Sequence, residues 1–229
     1  MRLLFLGCSW TYGCELAEGR NMKQKIREKR YSTIIGKKLN ADVINLAKNG
    51  SSNHRIARIF LEQDLEEYDT IFVQLSLPNR TEWYDPSNNT NKAKIIDKIN
   101  ESVELRKLGV FRQLEHLKKD RSGEWQGILT GEKRFMISGN LLDDKEWWMH
   151  YFEDIYTDTY GTTEEMLVFN LIKSKLVRMN KKHVITSINS KCKLPIDLQL
   201  NNIKYPRAKG NHPNALGHIM IASDIMRLL

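Results

Sequence analysis

Two residues near opposite ends of this chain have the types and settings that acyl-transfer chemistry needs. Ser9 follows the apolar run RLLFLG (2–7) and sits within Gly7-Cys8-Ser9-Trp10-Thr11-Tyr12-Gly13. His212 opens the stretch His212-Pro213-Asn214, with Gly217-His218 just beyond it. A serine hydroxyl is a weak nucleophile until a neighbouring base takes its proton, and neutral imidazole suits that task near neutral pH. Between the two lie two more polar loops, Asn45-Leu46-Ala47-Lys48-Asn49-Gly50-Ser51 and Ser76-Leu77-Pro78-Asn79-Arg80. Read singly, each of these is an ordinary turn or helix cap. In combination and in this order they mean more.

Such residues work only if the fold brings them together, and the hydrophobic pattern indicates how. RLLFLG (2–7), DVINLA (42–47), DTIFVQLSL (69–77) and KHVITSIN (182–189) read as short strands, the first apolar enough to be buried on both faces and the third rich in β-branched and aromatic residues. Helical spacing marks 31–40, ending at Asn40, and 51–68, with Ser51 or Ser52 as N-cap and Ile56, Ile59, Phe60 and Leu65 facing inward. Thr162 three residues before Glu165 has capping-box spacing and predicts a helix over 162–180. The tail turns at His212 and continues as an amphipathic helix, with Ile219, Ile221, Ile225 and Leu228 as core candidates. The β-α-β-α-β order of the first third requires crossover connections and so a parallel sheet covered by helices. In such sheets ligands bind beyond the carboxyl ends of the strands, where the loops after the first three strands emerge, and the turn opening the last helix adds Asn211, His212, Pro213 and Asn214.

The middle is less regular. Residues 92–119 suggest one helix, 125–138 irregular structure or a small hairpin, and 143–156 an aromatic-rich helix carrying Trp147 and Trp148. The expected organisation is a single α/β domain over 1–229 with an insertion at about 78–140 over the sheet. The helical spacing of the tryptophans favours core packing over stacking on sugar rings.

In their order along the chain, the polar loops resemble the sequence blocks of the SGNH (GDSL-type) hydrolases, a family of esterases and lipases. Its first block, a strand running into Gly-Asp-Ser, is similar to Leu6-Gly7-Cys8-Ser9, with Gly13 ending the motif. Its second, Asn-x-Gly/Ala-x-x-Gly, is similar to Asn45 to Gly50, and its third is matched loosely by Ser76-Leu77-Pro78-Asn79. Its last is matched by His212-Pro213-Asn214 and Gly217-His218. The resemblance implies a flavodoxin-like three-layer α/β/α fold and a site in which Ser9 is the nucleophile and His212 the base. The backbone N–H groups of Ser9 and Gly50, with the Asn79 side chain, would form the oxyanion hole. Arg80, Trp10 and Asn214 would contact substrate, Arg80 being suited to an anionic group. The family commonly carries Asp three residues before its histidine; Lys209 stands there, and neither Gly210 nor Asn211 is acidic. That leaves a Ser9–His212 dyad whose ring a backbone carbonyl would orient. Cys8, in place of the first-block Asp, reads as a small buried side chain.

Composition narrows the function classes. Three cysteines, an odd and sparse set, argue against a disulfide framework and point to the cytoplasm. The apolar start is only a few residues long and runs straight into Cys8-Ser9-Trp10, which does not fit a signal peptide, and no apolar run is long enough to span a bilayer. His212 and His218 lie six apart, outside the spacing of a helical zinc pair, so no metal and no cofactor is expected. The net charge of +8 comes largely from runs such as KQKIREKR (23–30) and KSKLVRMNKK (173–182). No nucleic-acid-binding motif accompanies these runs, so solvated helix faces explain them better than an RNA or DNA partner. GCSWTYG also lacks the glycine spacing of a dinucleotide fold. The expected function is a serine esterase or acyl-hydrolase acting on a small or carbohydrate ester, compatible with an anionic substrate. The competing class is an inactive domain of the same fold that binds a carbohydrate, nucleic acid or protein.

Overall fold

A computed structural model describes residues 1–16, 22–78, 80–84, 134–138, 158–200, 204–209 and 211–229. Five strands form one sheet: β1 (Arg2–Leu6), β2 (Asp42–Asn45), β3 (Thr70–Leu75), β6 (Lys182–Ser187) and β7 (Leu198–Gln199). They lie in the order β2-β1-β3-β6-β7, and every neighbouring pair is parallel. Counted among themselves, these strands have the flavodoxin-like order 2-1-3-4-5. The chain moves outward from β1 to β2 and then returns to the other side of β1 as β3. The order therefore reverses between β1 and β3, which opens a crevice above their carboxyl ends.

Alternate side chains of the strands feed two separate cores, as the two-residue period of a strand demands. Leu4, Leu6, Ile71, Val73 and Ile185 pack against α4 (Asn53–Glu62) and α5 (Asp158–Arg178) through Ile56, Phe60, Phe169, Ile172 and Leu176. Leu3, Phe5, Phe72 and Val184 point the other way, to Ile35 of α3 (Tyr31–Leu39) and to Ile221 and Ile225 of α6 (Ala215–Met226). Phe5 and Phe72 stack with ring centroids 4.2 Å apart. On β2 the helix lies so close that a Cβ added at Gly36 would sit 2.2 Å from Val43 Cγ2. The result is the three-layer α/β/α architecture that the SGNH resemblance implies.

Several sequence expectations need correction. Helix α5 starts at Asp158, not at Thr162, so the capping-box pair lies inside it; Thr163 Oγ1 instead donates to the Thr159 carbonyl at 3.0 Å. On α6, Ile221 and Ile225 are buried, but Ile219 is about half exposed, as is Leu228 beyond the helix end. The inward face is set by His218, Ile221, Ala222 and Ile225, and Ile219 falls on the opposite side of that helical period. The strand β5 (Arg134–Ser138) pairs antiparallel with β4 (Arg80–Tyr84), and the rest of the 125–138 segment lies outside the described residues. The helices expected at 92–119 and 143–156, with Trp147 and Trp148, lie outside the described residues. Two short helices were not expected: α1 (Ser9–Tyr12) and α2 (Met22–Lys29). Among the described residues no helix is long and apolar enough to cross a membrane.

Candidate active site

Ser9 opens α1 directly beyond β1, next to the reversal point. The turn is tight: a Cβ on Gly7 would lie 2.4 Å from Thr11 Oγ1, and Gly13 ends the helix at φ 91° with its N–H on the Ser9 carbonyl. Ser9 is buried, with its hydroxyl 3.7 Å from Cys8 Sγ. Beneath it runs a closed polar network. The Gln74 carboxamide oxygen accepts from both the N–H and the hydroxyl of Thr11, and its NH₂ donates to Cys8 Sγ at 3.0 Å. Thr11 Oγ1 also bonds the Tyr31 hydroxyl at 2.6 Å, and burial pushes that phenol's pKa up, so it stays neutral. Each such bond contributes about 1 kcal/mol, whereas a buried partner left unpaired costs about 1–3 kcal/mol, so the network fixes the nucleophile's loop as a unit.

His212 is held differently. Its carbonyl accepts from Ala208 N–H at 2.8 Å, Asn211 turns the chain at φ 72°, and Asn214 N–H reaches the Pro206 carbonyl at 3.0 Å. The ring then meets Glu15. One carboxylate oxygen, Oε2, lies 2.8 Å from His212 Nδ1 and 3.2 Å from the His212 backbone nitrogen. With Nδ1 as the donor, Nε2 is left as the proton acceptor. A carboxylate thus orients the ring, in place of the backbone carbonyl expected from the sequence. It comes not from the segment preceding the histidine but from the nucleophile's own loop, where Glu15 sits at φ 64°.

The second histidine of the tail has another task. His218 is fully buried, stacks on Tyr31 with centroids 5.7 Å apart, and accepts the Tyr31 N–H on Nδ1 at 3.1 Å. Burial, with a smaller contribution from the charge of His212, depresses its pKa to about 3. It is a neutral packing residue, and the tail carries one candidate base.

The second loop is laced to the first. Asn45 Nδ2 donates to the Thr11 carbonyl at 3.0 Å and to Ser32 Oγ at 2.9 Å, and Lys48 N–H reaches the Gly7 carbonyl at 3.4 Å. Gly50 follows at φ 73°, a conformation that favours glycine, and Ser52 caps α4 through Arg55 N–H. Beyond β3 the Asn53 carboxamide brackets the backbone of Ser76, accepting its N–H at 2.7 Å and donating to its carbonyl at 3.4 Å. The sequence did not single out Asn53, although an Asn in the first turn of a helix that starts at this edge was a signal. Arg80 Nη1 donates to Ser76 Oγ at 3.0 Å, which places its guanidinium at the end of β3. Asn79 lies outside the described residues.

The other expected contact residues are engaged in the protein. The Asn214 side chain caps α6 by accepting Gly217 N–H at 3.0 Å. Trp10 is 6% exposed and packs in the core. Above its ring, 5.4 Å from the centroid, lies the guanidinium of Arg207, which also donates to Asn211 Oδ1 at 2.6 Å. Arg207, unremarked in the sequence, thereby links the residue after Ser9 to the residue before His212. The three cysteines are free, and among the described residues no group of three acidic, histidine or cysteine side chains could hold a metal ion.

No family model and no curated protein matches the chain. Solved structures with a similar backbone include a G-D-S-L family protein from Desulfitobacterium hafniense described as lipolytic, at 10% identity and TM-score 0.37 over 100% of this chain and 99% of that one. An acetyl xylan esterase from Geobacillus stearothermophilus aligns at 15% identity and TM-score 0.36, over 99% and 93% of the two chains. A family two carbohydrate esterase from Clostridium thermocellum aligns at 12% identity and TM-score 0.41, over 99% of this chain and 62% of that one. All three names describe ester or lipid chemistry.

Proposed function

We propose that the protein is a serine ester hydrolase, with Ser9 as nucleophile, His212 as general base and acid, and Glu15 as the acid that orients the ring. The observation that carries this reading is the Glu15 carboxylate 2.8 Å from His212 Nδ1, which frees Nε2 to accept a proton. Ser9 Oγ attacks the ester carbonyl carbon as its proton passes to Nε2. The carbonyl π electrons move to oxygen, where the N–H groups of Ser9 and Gly50 and the Asn79 carboxamide would receive the charge. Collapse breaks the C–O bond to the alcohol, which leaves with the proton from His212. Water, deprotonated by the same nitrogen, then releases the acid and restores Ser9. Each aimed oxyanion donor is worth about 3–4 kcal/mol at the transition state. The substrate class is a small ester or an O-acetylated carbohydrate, with Arg80 at the end of β3 placed to meet an anionic group. No cofactor is needed for these steps.

The test pairs turnover with labelling. The wild type should hydrolyse short p-nitrophenyl esters and be labelled by a fluorophosphonate at Ser9. Ser9→Ala should lose both, and His212→Ala should lose almost all of both, with circular dichroism spectra unchanged. A folded wild type that neither turns over nor labels would sink the proposal.

A further inference from the structure

A second site is suggested on the outer flank of the sheet, lined by none of the residues assigned to ester hydrolysis. Between α2, α3 and the start of β2 runs a cleft of about 640 Å³, lined by Arg27, Glu28, Arg30, Thr33, Lys37 and Asp42, with small residues between them. That volume lies within the ~300–1,000 Å³ range of small-molecule sites. The charges are unevenly distributed. None of the described ion pairs involves Arg27, Arg30 or Lys37. Arg30 is the unusual one: it is partly buried, and its one side-chain hydrogen bond among the described residues is a long contact, 3.4 Å, from Nε to Thr33 Oγ1. Burial and the like charge of Arg27 both work against its cation. A partly buried guanidinium with a second guanidinium beside it, at one end of a cleft, is an arrangement that an oxyanion would relieve.

The carboxylates do not cancel it. Asp42 starts β2 opposite Arg2, at the amino edge of the sheet, whereas Arg30 precedes α3, at the edge from which Ser9 emerges. Glu28 lines the same end as Arg27 and Arg30, which leaves two cations to one carboxylate there among the described residues. The cleft is therefore cationic at the Arg27–Arg30 end and mixed at the Lys37–Asp42 end.

We propose that this cleft binds the phosphoryl group of a small molecule, with Arg30 and Arg27 taking its oxygens and Lys37 supporting the bound ligand farther along α3. Two planar forks match the several equivalent oxygens of a dianion better than the two of a carboxylate. The bound group would lie behind the nucleophile's loop, because a Cβ on Gly13 would come within 3.1 Å of Arg30 Cβ.

The experiment titrates isotope-labelled full-length protein with inorganic phosphate at constant ionic strength, following amide shifts. Saturable shifts should appear across 27–43 and at Gly13, and Arg30→Gln should weaken phosphate at least ~10-fold, the loss of a charge-assisted pair. Arg27→Gln and Lys37→Gln should each weaken it several-fold, and Arg178→Gln, exposed on α5, should change nothing. Wild-type shifts that do not saturate, equal binding of acetate, or undiminished binding in Arg30→Gln would overturn the proposal. Should Arg30→Gln not fold, the two exposed-residue variants decide it, and unchanged binding in both overturns it. Esterase activity is not needed for any of these readings, so the cleft and the hydrolase stand or fall separately.

Discussion

The two halves of the candidate site are fixed by opposite means. The nucleophile's loop is anchored from inside: Ser9 and Thr11 are at most 2% exposed, and Thr11 is tied to Gln74 and Tyr31, far from it in sequence. The base's loop is anchored from outside: His212 and Glu15 each have a quarter of their side chain in solvent, and Arg207 braces the loop across Trp10. The reactive oxygen therefore inherits the stability of the core, while the base depends on a few surface contacts that can be removed without unfolding the protein. Substitutions in the outer half should appear in rate, and substitutions in the inner half in stability.

The sharpest way to break that contrast is Glu15→Gln. It keeps the size of the side chain but removes the charge that selects the tautomer of His212, so kcat should fall on the order of 10⁴-fold, as loss of an orienting acid does elsewhere. The melting temperature should hardly move. A small loss measured on p-nitrophenyl acetate would mean that the backbone turn alone holds the ring.

The inner half is probed by acid. The pKa of His218 is about 3 in the fold, against 6.5 for a free side chain. As the pH falls below 6.5 the unfolded chain takes up this proton and the folded one does not. Stability contributed by the neutral ring is fully present above that value and drains by about 1.4 kcal/mol per pH unit toward pH 3. Urea unfolding between pH 4 and 7 should show this slope, flattened in His218→Asn. An identical slope in both proteins would remove His218 from the account.

The smallest effect is expected at Arg207. Replacement by Ala removes a contact with an aromatic face and a hydrogen bond, together worth about 1–2 kcal/mol, so kcat should drop roughly 10-fold or somewhat more. KM and thermal stability should change little, and Arg207→Lys should recover part of the rate. A fall in melting temperature without a change in kcat would make Arg207 a structural residue only.

The same division explains what could be read from the sequence. The strands and helices of the two cores announced themselves because periodicity is a local signal: TIFVQL, and RLLFLG after Arg2, are runs whose every residue is buried. Ser9, Gly50 and His212 stood out as residues in recognisable company. Glu15 did not, because its partner is 197 residues away and the turn that delivers it lies at a positive φ that no neighbouring residue predicts. His218 shows the opposite failure. A polar residue took the inward place on α6 that the pattern offered to Ile219; only the fold supplies the Tyr31 N–H for Nδ1, and Nε2 is buried with no hydrogen-bond partner among the described residues.

The bond between Glu15 and His212 also has a history in time. It closes a loop of nearly the whole described chain, and α6 reaches its place only by docking on α3, where His218 meets Tyr31. Contacts of such long separation form late, because the entropy of closure must be met before they return anything. A refolding chain would therefore gain its sheet before its base, and recovery of Ser9 reactivity would report the docking of α6 rather than the collapse of the core.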